Sequence, residues 1–240
     1  MNTVRARSEI RAEELYKACK GLGTNEQVLI DIIITSPNKQ MEDFKQFFRQ
    51  KYETSLVDFI KGDTTGDFEK ILVAALQAQR STTVENDKID SDVEKLYKAG
   101  EGKWGTDEKT FIEILTTRSF EHLEKVAQRY QEKYKHTLES AIKSETTGWF
   151  ETALLTCLDY PSVHWAKRMN QAIRGLGTND SLLIRCFSEN SKPFLQVIAK
   201  EYERLFKVTL EKDIKGDTSG DYQHLLLTLL DLPESERKLY

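Results

Sequence analysis

Three times along the chain, the glycine of a Gly–Thr pair is followed forty positions later by an acidic residue. The pairs are Gly23 and Asp63, Gly105 and Glu145, Gly177 and Asp217. Each acid stands in the same local context, Lys-x-[Asp/Glu]-Thr-[Thr/Ser]-Gly, as in Lys61–Gly62–Asp63–Thr64–Thr65–Gly66. A single pair would be unremarkable, because glycine turns usually close helices and acids before helices usually cap them. Three pairs in register mean that one structural unit is repeated, and that the turn and the acid belong to one arrangement.

The repeat sets the architecture. Leu56, Leu138 and Leu210 align, as do Ile60, Ile142 and Ile214, and Gly66, Gly148 and Gly220, with offsets of 82 and 72 positions. The ten additional positions fall in the polar stretch Gln79–Arg80–Ser81–Thr82–Thr83–Val84–Glu85–Asn86–Asp87–Lys88, which reads as a linker. Within a unit the apolar spacing is helical. Val28, Leu29, Ile32 and Ile33 form one face, matched by Leu182, Leu183, Cys186 and Phe187. The intervening Asp31, Glu113 and Arg185 read as a solvated face, and Trp149 and Trp165 as core. Thr24, Thr106 and Thr178 stand where N-caps belong, with Gln27 completing a capping box after Thr24. Gly21, Gly23, Gly175 and Gly177 supply the positive φ needed between successive helices. Only 4 prolines interrupt the chain. The expected fold is all-α: an array of three units of roughly 70 residues, each of five short helices.

Several function classes have no support in the chain. No apolar window approaches the ~18 residues of a membrane span, and Met1–Asn2–Thr3–Val4–Arg5 opens no signal peptide. Cys19, Cys157 and Cys186 are odd in number and set among apolar residues, as reduced core thiols of an intracellular protein would be. A net charge of −4 gives no bulk attraction to nucleic acid or to an anionic bilayer. Gly21–Leu22–Gly23 lacks the remaining glycine of a dinucleotide turn, and no P-loop, nucleophile elbow or EF-hand loop is present. His122, His136, His164 and His224 have no metal-ligand spacing. Nothing marks the chain as an enzyme.

The sequences Gly21–Leu22–Gly23–Thr24–Asn25–Glu26, Lys103–Trp104–Gly105–Thr106–Asp107–Glu108 and Gly175–Leu176–Gly177–Thr178–Asn179–Asp180, each with its downstream acid, resemble the endonexin-fold repeat of annexins. The resemblance runs from about Ser8 to Leu232. Annexins usually carry four repeats, and the Lys103–Trp104–Gly105 variant resembles the family's third, so the units match repeats two to four. The implied organisation is an N-terminal segment (1–10), repeats at 11–80, 91–160 and 161–232 with a linker at 81–90, and a tail (233–240). Family repeats often place an arginine after the second helix, as at Arg118. Pro37 and Asn190 take the equivalent places here, which predicts different helix-end interactions.

The resemblance also implies a calcium chemistry. Ca²⁺ takes 6–8 oxygens, carbonyls and carboxylates among them. The first site would use the carbonyls of Cys19, Gly21 and Gly23 with the Asp63 side chain. The middle turn is one residue longer, and its ligands would be the carbonyls of Gly100, Lys103 and Gly105 with Glu145. The last site would use Ile173, Gly175 and Gly177 with Asp217. One carboxylate per site suggests a dissociation constant on the order of 10⁻⁴–10⁻³ M for the protein alone. A lipid phosphate would complete the shell, bridging an acidic protein to an anionic phospholipid membrane. Leu22, Trp104 and Leu176 at the turn tips, and Lys20, Lys103 and Arg174 beside them, are the expected membrane contacts. The expected protein is cytoplasmic and peripheral to the membrane when calcium rises. The rival reading is a calcium-independent helical-repeat scaffold for protein partners. With the family's first repeat unmatched, the last unit is expected to leave an apolar surface for self-association or a partner.

Overall fold

The structure, a computed structural model, describes residues 2–102, 105–175 and 177–230, with side chains from residue 7 onward. Among these residues all regular structure is helical. The first repeat comprises α1 (Asn2–Cys19), α2 (Glu26–Leu29, continued by a π-helical segment, Ile30–Ile34), α3 (Asn38–Tyr52), α4 (Leu56–Asp63) and α5 (Gly66–Ala75). The second comprises α6 (Ile89–Ala99), α7 (Glu108–Thr117), α8 (Phe120–Tyr134), α9 (Leu138–Glu145) and α10 (Gly148–Leu158). The third comprises α11 (Pro161–Ile173), α12 (Asp180–Glu189), α13 (Lys192–Phe206), α14 (Leu210–Asp217) and α15 (Gly220–Leu230). Three five-helix repeats are therefore present, as the periodicity predicts.

The chain divides into two compact units, Met1–Asp159 with the first two repeats and Tyr160–Tyr240 with the third. In the first unit, α1 packs on α3, α6 on α8, and the two repeats meet through their second and fifth helices. There α5 contacts α7 and α10, and the π-helical segment contacts α10. One continuous core results, with Leu15, Phe44, Phe48, Ile60, Ile71, Phe111, Ile142 and Leu154 buried in it. In the second unit α11 packs on α12 and α13, around Met169, Leu183, Ile198 and Ile214. All three cysteines are buried free thiols.

Local chemistry explains the boundaries. Ser55, Thr137 and Thr209 cap the fourth helix of each repeat by accepting from Asp58, Ser140 and Lys212 N–H. Gly66, Gly148 and Gly220, at φ +67°, +66° and +62°, turn the chain into the fifth helix. Glycine enters that region without the cost that a Cβ brings there.

Four expectations need correcting. The second helices are capped not by Thr24, Thr106 and Thr178 but by the next residues. Asn25, Asp107 and Asn179 accept from Val28, Thr110 and Leu182 N–H. Asp31 is fully buried rather than solvated: it lies in the π-helical segment, where Gln27 donates to its Oδ1 at 2.9 Å. Arg185 is half-buried, and only Glu113 of that set is exposed. Trp165 is core, but Trp149 is 42% exposed, because it precedes the buried face of α10 that begins at Phe150. Finally, the residue standing where Arg118 stands is Ser36, not Pro37. Ser36 Oγ donates to the Ile32 carbonyl, and in the third repeat Asn190 donates to the Cys186 carbonyl. Short side chains there bond back into their own helix.

Arg118 does something different. Its Nε donates to Asp92 Oδ2 at 2.6 Å and its Nη1 to Glu85 Oε2 at 2.8 Å. The polar stretch 79–88 is thus held against the second repeat. Arg80 donates to the Arg118 carbonyl at 2.8 Å and stacks its guanidinium 4.3 Å from the Phe120 ring centre.

Candidate metal and membrane site

Each repeat places its acid at the last residue of its fourth helix, facing the turn between its first and second helices. The next threonine fixes that end. Thr64, Thr146 and Thr218 each donate a hydroxyl to a carbonyl four residues back, at 2.7 Å in every case. The connection across to the turn is made by the threonines read from sequence as caps. Thr24 Oγ1 lies 3.1 Å from the Asp63 carbonyl and 3.3 Å from Asp63 Oδ2. The corresponding distances are 3.2 and 2.9 Å for Thr106 and Glu145, and 3.0 and 2.7 Å for Thr178 and Asp217. A hydroxyl that donates to a carboxylate restrains where its oxygens point and leaves their other lone pairs free.

The backbone of the turn is pinned independently. Asn25, Asp107 and Asn179 N–H donate to the carbonyls of Ala18, Ala99 and Ala172, at 2.8, 2.6 and 2.8 Å. These bonds put Cys19, Gly100 and Ile173 in register and confirm one additional residue in the middle turn. Gly21, Gly23, Gly105 and Gly177 adopt φ of +125°, +89°, +81° and +80°, whereas Gly175 does not enter that region. A side chain at the four positive-φ positions would meet nothing within 4 Å, so their requirement is conformational.

Differences among the three turns follow from their neighbours. Glu145 is one methylene longer than Asp63 or Asp217 and lies against Gly100, where a Cβ would come 2.9 Å from Glu145 Cγ. Cys19 is buried beside Asp63. Burial, reinforced by that carboxylate, pushes its thiol up to about 12. A thiol that stays protonated is no ligand for a hard cation. Glu101, in the longer middle turn, accepts from Tyr130 Oη at 2.7 Å and lies 2.6 Å from His136 Nε2, a contact that raises the His136 pKa.

Among the expected membrane contacts, Leu22 is completely exposed (109%) and Lys20 lies 5.2 Å from the Tyr16 ring centre. Arg174 is held by Asp213 through paired bonds of 2.9–3.1 Å, and Tyr202 donates to the same carboxylate at 2.6 Å. Lys103, Trp104 and Leu176 lie outside the described residues. The Tyr130–Glu101 and Tyr202–Asp213 bonds were not legible from the sequence. Their only signal was a tyrosine recurring at an offset of 72, in a register where the first repeat has Phe48.

The chemistry of the expected donors, one carboxylate and main-chain oxygens, suits a hard divalent cation. Among the described residues no cluster of three or more His, Cys, Asp or Glu side chains could hold a metal. No helix among them is long and apolar enough to cross a membrane.

Comparison with known proteins agrees with this geometry. The Annexin family model matches residues 10–75, 91–157 and 164–229. Annexin A7 of Dictyostelium discoideum is 42% identical over 223 residues, covering 91% of this chain and 48% of that protein. The chain thus spans about half the length of that relative. A solved structure of annexin III superposes with a TM-score of 0.87 at 37% identity, covering 93% of this chain and 71% of that one. A calcium-bound crystal structure of annexin (Sm)1 superposes with a TM-score of 0.82 at 29% identity, covering 94% and 70%. With its family model matched across all three repeats, the chain belongs to the annexin family.

Proposed function

We propose that this chain binds anionic phospholipid membranes in a calcium-dependent, reversible manner, as a peripheral protein of the cytoplasm. The observation that carries this reading is the bond between Thr24, Thr106 or Thr178 and an acid 39 residues away, repeated in all three units. A carboxylate steered toward a glycine turn by a fixed hydroxyl is arranged for an ion. A carboxylate serving only as a helix cap would bond main-chain N–H groups instead. That a relative was solved with calcium bound supports the choice of cation.

In this reading the carbonyls of Cys19, Gly21 and Gly23 act with Asp63. Those of Gly100, Lys103 and Gly105 act with Glu145, and those of Ile173, Gly175 and Gly177 with Asp217. The residues hold the cation, which supplies positive charge between the acidic protein and lipid phosphate. Calcium and anionic lipid then tighten each other's binding reciprocally. Leu22, Trp104 and Leu176 would contact the interface, with Lys20 and Arg174 near the headgroups.

The test is the triple substitution of Asp63, Glu145 and Asp217 by alanine. Calcium-dependent pelleting with phosphatidylserine vesicles is expected to disappear while helix content is retained. Undiminished pelleting would favour a different anchoring surface, and binding of partners without calcium would favour the scaffold reading.

A further inference from the structure

Trp149 stands four residues beyond Glu145, in the first turn of α10, and 42% of it is exposed. Its counterparts in the other repeats are Asp67 and Asp221, residues at ease in water. An indole at this position leaves apolar surface in solvent that an aspartate would not. Four residues of chain span at most about 14 Å, so the Trp149 backbone lies within that distance of Glu145. The segment between is fixed. Thr146 is tied to the Ile142 carbonyl, Thr147 is extended, and Gly148 turns at φ +66°.

We infer that Trp149 is a second membrane-contact residue of the middle repeat. It inserts its indole into the interfacial layer of an anionic bilayer that calcium has drawn to Glu145. This inference rests on the membrane reading above. The surroundings favour a lipid interface over a protein partner. Its chain neighbours Lys143, Ser144, Thr147 and Gly148 are exposed and three of them are polar, so no exposed apolar residue adjoins the indole in this segment. A lone indole with an N–H at its edge suits the headgroup boundary, where tryptophan is enriched. Lys143 at the end of α9 adds a cation for the same surface.

Fluorescence tests the inference on the full chain. In a Trp104→Phe variant the remaining tryptophans are Trp149 and Trp165, and Trp165 is buried. With phosphatidylserine vesicles containing brominated phosphatidylcholine, calcium should shift emission to the blue and quench it, and chelator should reverse both. Adding Trp149→Phe to that variant should abolish the quenching. Trp149→Ser alone should weaken vesicle binding roughly ten-fold at fixed calcium, the loss expected when about 55 Å² of apolar surface is no longer there to be buried. Vesicle-bound protein whose emission is neither shifted nor quenched would overturn the role of Trp149 and leave calcium bridging intact. Failure of the unsubstituted chain to bind vesicles at all would overturn the membrane reading, and this inference with it.

Discussion

Gly100 shows how far single residues were legible. Its spacing from Gly105 marked it as part of the turn, but its contact with Glu145 follows only from the fold. A Cβ there would lie 2.9 Å from Glu145 Cγ and 3.3 Å from Cδ. Cys19 and Ile173 carry side chains in the same register, where the acids are the shorter Asp63 and Asp217. Gly100→Ala should therefore displace the Glu145 carboxylate and weaken calcium at the middle site roughly three- to ten-fold, or about 1 kcal/mol. Calorimetric titration in an Asp63→Ala/Asp217→Ala background isolates that site, and an unchanged affinity would contradict the contact. The turn threonines were visible as a pattern but misread. Thr24 and Asn25 are both good cap formers, and only the three-dimensional register shows that the asparagine takes the helix while the threonine reaches the acid.

At the scale of elements, the helices were legible from their 3.6-residue periodicity, whereas their ends depended on contacts distant in sequence. The end of α7 is the clearest case. Arg118 reaches back to Asp92 and Glu85, and His122 Nε2 lies 3.1 Å from Asp92 Oδ2. Burial pushes the Asp92 carboxyl up, but its bonds to Arg118 and His122 outweigh that and hold it below the usual carboxylate range. A lowered folded pKa contributes stability that is present above the unfolded value, near 3.9, and is lost as pH falls through the folded one. Arg118→Ala removes the main partner of a buried carboxylate and should cost about 3 kcal/mol at pH 7. The urea midpoint should fall accordingly, and the difference from wild type should narrow below about pH 4 as Asp92 protonates. An unmoved midpoint at pH 7 would show that the ion pair is dispensable. Trp149 and Asp31 were misassigned for a related reason. Periodicity locates a helix face, but a helix's first turn and a π-helical segment both depart from the face it predicts.

At the scale of the whole molecule, the repeat made the array legible, because one unit read three times averages out local ambiguity. What repetition could not reveal is where the units differ in their surroundings. Ile184 and Leu225 are 53% and 55% exposed in the third repeat. Their counterparts, Ile30 and Ile112 for the first and Ile71 and Ala153 for the second, are buried. In the first unit those helices pack repeat against repeat. The uncovered face on α12 and α15 should therefore drive self-association. Light scattering at increasing concentration should show growth in mass that Ile184→Glu with Leu225→Glu abolishes, and a concentration-independent monomer would contradict it. The central claim, that the three turns bridge calcium to lipid, is tested most directly by cosedimentation with phosphatidylserine vesicles across a calcium titration. The expected result is pelleting that rises with calcium, saturates at lower calcium when phosphatidylserine is increased, and reverses fully with chelator. Pelleting that persists in chelator, or none at millimolar calcium, would contradict it.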